Sequence, residues 1–267
     1  MVFFLLIPSL IILVYSFLKK GLYGGIEWEF TLQNYVRAAD PLYLKILWDS
    51  LKLALATSFL CLLVGFPVAY VLATAKNPWR TILMILLVIR FWTNMVVRTY
   101  AIKVLLGDQG PINLWLMNWG LISEPIPFAN SYASVLFGMV TNYLPFMVLP
   151  LYVSLEKFDF SLLEAGRDLG ASSYQLLTRI LLPLTRHGVV TGFLLVFTPA
   201  LGEFLIPDLL GGARTMLIGN LIIEQFLKMR DWPFGSALSI VLMVVVVFSL
   251  MSSMRLWRDI SARSNQS

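Results

Sequence analysis

Charge is scarce in this chain: Asp, Glu, Lys and Arg make up 13% of its 267 residues, while 58% are hydrophobic. Soluble domains carry about 25% charged and about 45–50% apolar residues, so a soluble fold is excluded, and the mean hydropathy of +0.80 agrees. The single cysteine, Cys61, lies in an apolar run. It leaves no intrachain disulfide and no metal-ligand spacing, so no metal site is expected. The single histidine, His187, beside Arg186, offers no Ser/His or Cys/His pair for nucleophilic catalysis. It suits lipid headgroups or solvent better than proton shuttling. No Gly-x-x-x-x-Gly-Lys-Ser/Thr loop occurs, so the chain is not read as an ATPase, and neither catalytic residues nor cofactors are expected. The net charge of +5 does not point to nucleic acid, because the basic residues are spread over loops with no soluble domain to carry them.

What is present is a set of apolar runs. Met1 to Leu18, Leu53 to Ala75, Pro125 to Leu155 and Trp232 to Met254 each approach or exceed the ~20 residues that cross a bilayer core as helix. Two further runs are interrupted by charge: Thr81 to Leu106 carries Arg90, Arg98 and Lys103, and Gly188 to Leu210 carries Glu203 and Asp208. Charges inside a span face a cavity or a partner helix, since facing lipid costs several kcal/mol. The expected fold is therefore all-α, a polytopic membrane protein of six transmembrane helices forming one domain over residues 1–267. The first run lacks the basic leader and small-residue cleavage site of a secretory signal and reads as a transmembrane helix. Its abrupt start, Val2-Phe3-Phe4-Leu5, fits a true start further upstream.

Orientation by basic residues nearly ties: nine lie in loops 76–80, 156–187 and 255–267, and eight in loops 19–52, 107–124 and 208–231. The turn with Lys76 and Arg80, the tail with Arg255, Arg258 and Arg263, and the basic-free loop 107–124 favour both termini inside. In the external loop, Pro111, Pro125 and Pro127 with Gly107, Gly110 and Gly120 disfavour long regular structure, so a short helix around Ile112 to Trp119 is the most expected.

Loop 156–187 reads as two short helices. Gly170 suits the left-handed residue that ends the first, Ser172 or Ser173 caps the second, and the second ends before Pro183. Leu176, Leu177, Ile180 and Leu181 then form an apolar ridge suited to a groove on a partner protein. An amphipathic loop on the inner membrane surface is the alternative.

Within this loop, Glu164-Ala165-Gly166, three residues, Gly170, nine residues, then Ile180-Leu181-Leu182-Pro183 resembles the cytoplasmic coupling loop of permease subunits of binding-protein-dependent ABC importers. Gly166 stands where the pattern has a second Ala. Phe91-Trp92-Thr93-Asn94, Arg98-Thr99-Tyr100, Leu144-Pro145-Phe146-Met147, Gly202-Glu203-Phe204, Asp208-Leu209-Leu210-Gly211-Gly212 and Asp231-Trp232-Pro233-Phe234-Gly235 are similar to B-type permeases of spermidine/putrescine importers. So is the early loop with Asn34-Tyr35 and Asp40-Pro41-Leu42-Tyr43. The resemblance implies a MetI-like permease of the bacterial inner membrane. It further implies a second permease subunit, a cytoplasmic ATPase dimer docked on loop 156–187 and a periplasmic substrate-binding protein. In that scheme Glu164, Ala165, Gly166, Gly170, Ile180, Leu182 and Pro183 serve coupling.

Candidates for a substrate pathway are Glu203, Asp208, Asp231, Trp92, Asn94 and Tyr143. Glu203 lies about 15 residues, or ~22 Å of helix rise, beyond Gly188, where a carboxylate can meet an ammonium; an ion pair with Arg98 is the alternative. Gly202 and Pro207 weaken the helix around it. Asp208 and Asp231 either form an acidic entrance or cap helices and pair with Arg214 or Arg230. Trp92, Tyr100, Tyr143 and Trp232 offer cation–π faces to an alkylammonium chain. Arg90 opposes this picture: with Asn94 and Arg98 at four-residue spacing it shares one helix side, and a fixed cation repels a polyamine. Either an acidic group on this or the partner permease neutralises it, or the cargo is another small organic solute, opine-like or anionic, or a metal chelate. An ion-coupled carrier would show a repeat of broken helices across two halves, and none is visible. A membrane scaffold without transport is a third class, which Glu203→Gln and deletion of the loop would separate from a transporter.

Overall fold

In the computed structural model the backbone is described for residues 2–212 and 215–264, and side chains for 6–212 and 215–252. The expectations for Met1, the first apolar residues, Arg214 and the tail arginines Arg255, Arg258 and Arg263 concern side chains outside the described residues. The chain forms two compact units, residues 1–52 with 201–267, and residues 53–200.

The first unit begins with α1 (Val2–Ser16), followed by a hairpin, α2 (Gln33–Ala38) and the start of α3 (Pro41–Thr74). The hairpin is the one departure from an all-helical chain among the described residues. β1 (Leu18–Lys20) pairs antiparallel with β2 (Ile26–Phe30), with Lys19 opposite Glu27 and Lys20 opposite Ile26. Asn34, buried, donates from Nδ2 to the carbonyls of Ser16 and Leu18, satisfying backbone groups that the short hairpin leaves over. From the C-terminal part of the chain come α12 (Leu205–Leu210), α13 (Ile218–Leu227) and α14 (Trp232–Ser264), and α1 packs along α14. Ile218, Leu221, Phe234 and Leu238 form the core of this unit, with Tyr43, Ile46 and Leu47 of α3 against it.

The second unit is centred on α7 (Tyr132–Glu156), which has the buried residues Val135, Met139, Met147, Val148 and Leu151. Around it lie the rest of α3, α4 (Trp79–Trp92), α5 (Met95–Leu106), α6 (Pro111–Asn118) and α11 (Arg186–Leu201). Helix α6 is the short helix expected around Ile112 to Trp119. A β-carbon on Gly188 would stand 2.7 Å from the Pro150 carbonyl oxygen, and one on Gly192 would stand 3.1 Å from that of Met147. The four-residue glycine spacing therefore lets α11 lie directly on the backbone of α7, the small-residue packing of membrane helices. Cys61 is buried and donates its thiol to the Val140 carbonyl, a packing role.

Three helices, Pro41–Thr74, Tyr132–Glu156 and Trp232–Ser252, are long and apolar enough to cross a membrane unaided. Two bent pairs bring the number to five if each pair is one span, and Leu6–Ser16 is a shorter apolar helix. The structure thus corrects two of the six expected continuous spans. The third breaks at Thr93–Asn94, where the flanking segments meet at 97°, and the fifth ends at Leu201. Between residues 55 and 71 the exposed residues of α3, among them Leu55, Phe59, Leu63, Val68 and Val71, are all apolar, as a lipid-facing or subunit-facing surface requires.

Candidate functional site

The elbow between α7 and α11 is built by local capping. Asp159 accepts from the Ser161 N–H at 3.0 Å, starting α8 (Ser161–Asp168). Hydrogen bonds from the Ser161 hydroxyl and N–H hold the Asp159 carboxyl below its usual range. Gly170 has φ +79°, with its N–H on the Arg167 carbonyl at 2.8 Å and the Ala171 N–H on the Gly166 carbonyl at 3.0 Å. This is the two-bond helix ending that a left-handed residue permits. Ser172 and Gln175 then exchange hydrogen bonds in a capping box that opens α9 (Ser173–Gln175).

The second elbow helix does not stop before Pro183. It widens to a π turn over Leu176–Leu181 and continues as α10 (Leu182–Leu184) before the chain bends into α11. Proline has no N–H to donate, and the wider turn carries the ladder up to it, with Leu182 N–H on the Leu177 carbonyl. The expected apolar ridge is also corrected. Leu176 and Leu181 face inward with Leu163 and Gly166, and a β-carbon on Gly166 would stand 2.6 Å from the tip of Leu176. Of the expected ridge Leu177 stays exposed and Ile180 half-buried, and the other large apolar groups exposed on the elbow are Leu169 (88% exposed), Tyr174, Leu162 and Leu184. Glu164, Ala165 and Pro183 are exposed, and Ile180 and Leu182 half-buried. At the base of the elbow Arg80 donates to both Tyr152 and Glu156, fixing the start of α4 to the end of α7. His187 is exposed on an 800 Å³ cleft there, beside Lys157 and Asp159.

The helix break at Thr93–Asn94 produces a second feature. The Asn94 side chain accepts from the Val96 N–H at 2.8 Å and caps α5. Arg98 folds back to donate to the Arg90 carbonyl at 3.0 Å, at the end of α4 where carbonyls lack helical partners. Arg90, Asn94 and Arg98 therefore do not share one continuous helix face. They converge by bending, and with Trp92, Asn142 and Tyr143 they line a cavity of about 600 Å³. Trp92 is 89% exposed while Tyr143 is buried. Among the described residues, neither guanidinium has a carboxylate within salt-bridge reach.

Glu203 sits in the gap between α11 and α12, where Gly202 and Pro207 were expected to weaken the helix. Its Oε1 accepts from the N–H groups of Phe204 at 3.0 Å and Leu205 at 2.9 Å, and the residue is 7% exposed. The carboxylate thus occupies the positive end of α12. Asp208 lies in the same unit, on a cavity of about 320 Å³ with Asn220, Glu224 and Lys228.

Asp231 departs from the entrance reading. It is buried, pairs with Arg37 at 2.8 Å and Lys20 at 3.7 Å, and accepts from the Phe234 N–H at the start of α14. Arg230 is not among its ion-pair partners in the described residues, and Arg214 lies outside them.

Residues 1–264 match the family described as binding-protein-dependent transport system inner membrane component. The chain is 45% identical over 251 residues to the spermidine/putrescine transport system permease protein PotB of Escherichia coli, covering 94% of this chain and 91% of that one. It is 27% identical over 261 residues to PotC, a permease protein named for the same transport system in E. coli, covering 96% and 90%. Its fold is shared with a solved bacterial ABC transporter involved in alginate import, with TM-score 0.71, 19% identity, and coverage of 95% and 91%. Apolar spans, a capped elbow before the penultimate span and a match along nearly its whole length make this chain a member of the family of inner-membrane permease components of binding-protein-dependent ABC transporters.

Proposed function

We propose that this chain is one of two permease subunits of an ATP-driven importer that moves the polyamines spermidine and putrescine across the inner membrane. The observation that carries the reading is the 45% identity to a spermidine/putrescine permease along 94% of the chain. The similarity to PotC, which shares the name of that system, supports a second, different permease beside it. Residues 1–267 act as one permease domain with both termini cytoplasmic.

A separate cytoplasmic ATPase dimer supplies the energy, and its closure acts on loop 156–187. Leu169 and Tyr174, both exposed at the elbow tip, suit an apolar groove on that partner. Glu164, Ala165, Gly166, Gly170, Ile180, Leu182 and Pro183 shape the surface. A periplasmic binding protein delivers the cargo. Glu203 and Asp208 meet its ammonium groups, and the aromatic faces of Trp92 and Tyr143, with Asn94, line the route. Asp231 is left out of the route because its carboxylate is committed to Arg37 and Lys20.

The test is uptake of labelled spermidine and putrescine by cells lacking their own polyamine importers and expressing this chain with its co-encoded partners. The reading expects uptake that disappears on ATP depletion. Uptake of neither compound by the assembled complex overturns the substrate.

A further inference from the structure

We infer that Arg90 and Arg98 receive a carboxylate side chain of the second permease subunit, so that an ion pair within the membrane joins the two permeases beside the route that Trp92, Asn94 and Tyr143 line. The inference rests on the two-permease reading above, though not on the identity of the cargo.

The depth of the site follows from α4. Arg80 is anchored at the polar base by Glu156 and Tyr152, and Arg90 is ten residues further along a helix of Ile, Leu, Met and Val. At 1.5 Å per residue this places it about 15 Å inward, near the bilayer midplane and out of reach of lipid phosphates. A guanidinium at that depth must find an anion or a set of acceptors.

Its own unit supplies only neutral acceptors. Arg90 donates through Nη2 to the Thr141 carbonyl, and Arg98 through Nη1 to the Arg90 carbonyl. Both Nε atoms are buried and without an acceptor, while Oδ1 of Asn142, a residue 5% exposed on the same cavity, is buried and without a donor. Two cationic groups lining one space form a site for a carboxylate, which accepts from two guanidinium groups at once. A polycationic cargo cannot supply that negative charge. Among the described residues no carboxylate of this chain forms an ion pair with either group, which leaves the second permease to supply one, and burying an ion pair between helices shields both charges from lipid.

The experiment uses the complete complex with a tag on this chain, and measures how much second permease co-purifies. In the double variant R90E/R98E, the second permease should fall at least about tenfold relative to this chain, with membrane insertion of this chain unchanged. R90K/R98K should retain it. Replacing intramembrane Asp and Glu residues of the second permease one at a time by Arg should identify one position that restores co-purification with R90E/R98E. A double variant that holds the second permease as tightly as the unaltered chain overturns the inference, as does an acidic scan in which no position restores assembly. Intact assembly combined with lost uptake of an anionic solute also overturns it, and assigns the cavity to cargo. Failure of spermidine uptake by the unaltered complex would instead count against the substrate alone, since co-purification does not depend on it.

Discussion

Arg37 Nη1 and Asp231 Oδ2 meet at 2.8 Å although 194 positions separate them in the chain. The guanidinium also lies 3.9 Å from the ring centre of Phe234, so one side chain joins the early loop to the start of α14 by charge and by stacking. Asp231→Ala should destabilise the purified protein by about 1–3 kcal/mol, less than a fully buried pair because Arg37 is half exposed. Arg37→Lys keeps the charge but loses the planar stack, and should fall between. Thermal unfolding in detergent ranks the three, and equal stability of all would remove the pair from the fold's support.

Gly170 is held at φ +79° with open space around its missing side chain, so substitution there is a matter of backbone strain alone. An L-residue in this conformation costs about 1–2 kcal/mol, with Asn and Asp the least penalised. Of uncharged replacements, Gly170→Val should therefore impair ATPase co-purification and uptake more than Gly170→Asn. Gly170→Asp, which adds a charge beside Leu169, should abolish uptake while leaving insertion normal. Full ATPase recovery with Gly170→Asp would contradict a coupling role for the elbow.

The start of α8 is sensitive to acid through Asp159. Its carboxyl is held below its ordinary value of 3.8, chiefly by the Ser161 hydroxyl. A depressed folded value means that its contribution is complete above the unfolded value and is lost as pH falls through the folded one. The protection of the 161–168 amides relative to their intrinsic exchange rates should fall below about pH 4 in the unaltered protein. Asp159→Ala should show the lower protection already at neutral pH, and an unchanged profile would remove the cap.

Glu203 has two separable properties, acceptance of N–H groups and negative charge. Glu203→Gln keeps a side-chain oxygen for Phe204 and Leu205 and should leave assembly intact while raising the KM for polyamine about tenfold, the loss of one charge-assisted contact. Glu203→Ala removes both properties and should also lower thermal stability. Unchanged transport kinetics in Glu203→Gln would leave Glu203 as a helix cap and nothing more.

The spans and the elbow were legible because they depend on local composition: apolar runs of membrane length, a glycine where a left-handed residue is needed, and a serine three residues before Gln175. The bend at Thr93–Asn94 was not legible, since no proline or glycine marks it and its stabilising contact is the return of Arg98 to the Arg90 carbonyl. The continuous helix assumed there put Arg90, Asn94 and Arg98 on one face, whereas the break gathers them around a cavity by a different route. Helical spacing alone does not reveal that Leu176 turns inward, where Gly166 leaves room for its tip, or that Leu181 is buried. The Gly188 and Gly192 pair was present in the sequence and went unread, hidden in a run whose charges drew attention to Glu203. Asp231 found its partner across the whole length of the chain, which no local pattern encodes.

The central claim is that this permease, with its partners, converts ATP hydrolysis into polyamine import. The most direct measurement reconstitutes the full complex in proteoliposomes, with ATP on the side of the elbow and binding protein with labelled spermidine on the other. The account predicts spermidine accumulation against its gradient, together with ATP hydrolysis that spermidine-loaded binding protein stimulates, both lost in Gly170→Asp. Accumulation that persists without ATP, or hydrolysis indifferent to loaded binding protein, would contradict it.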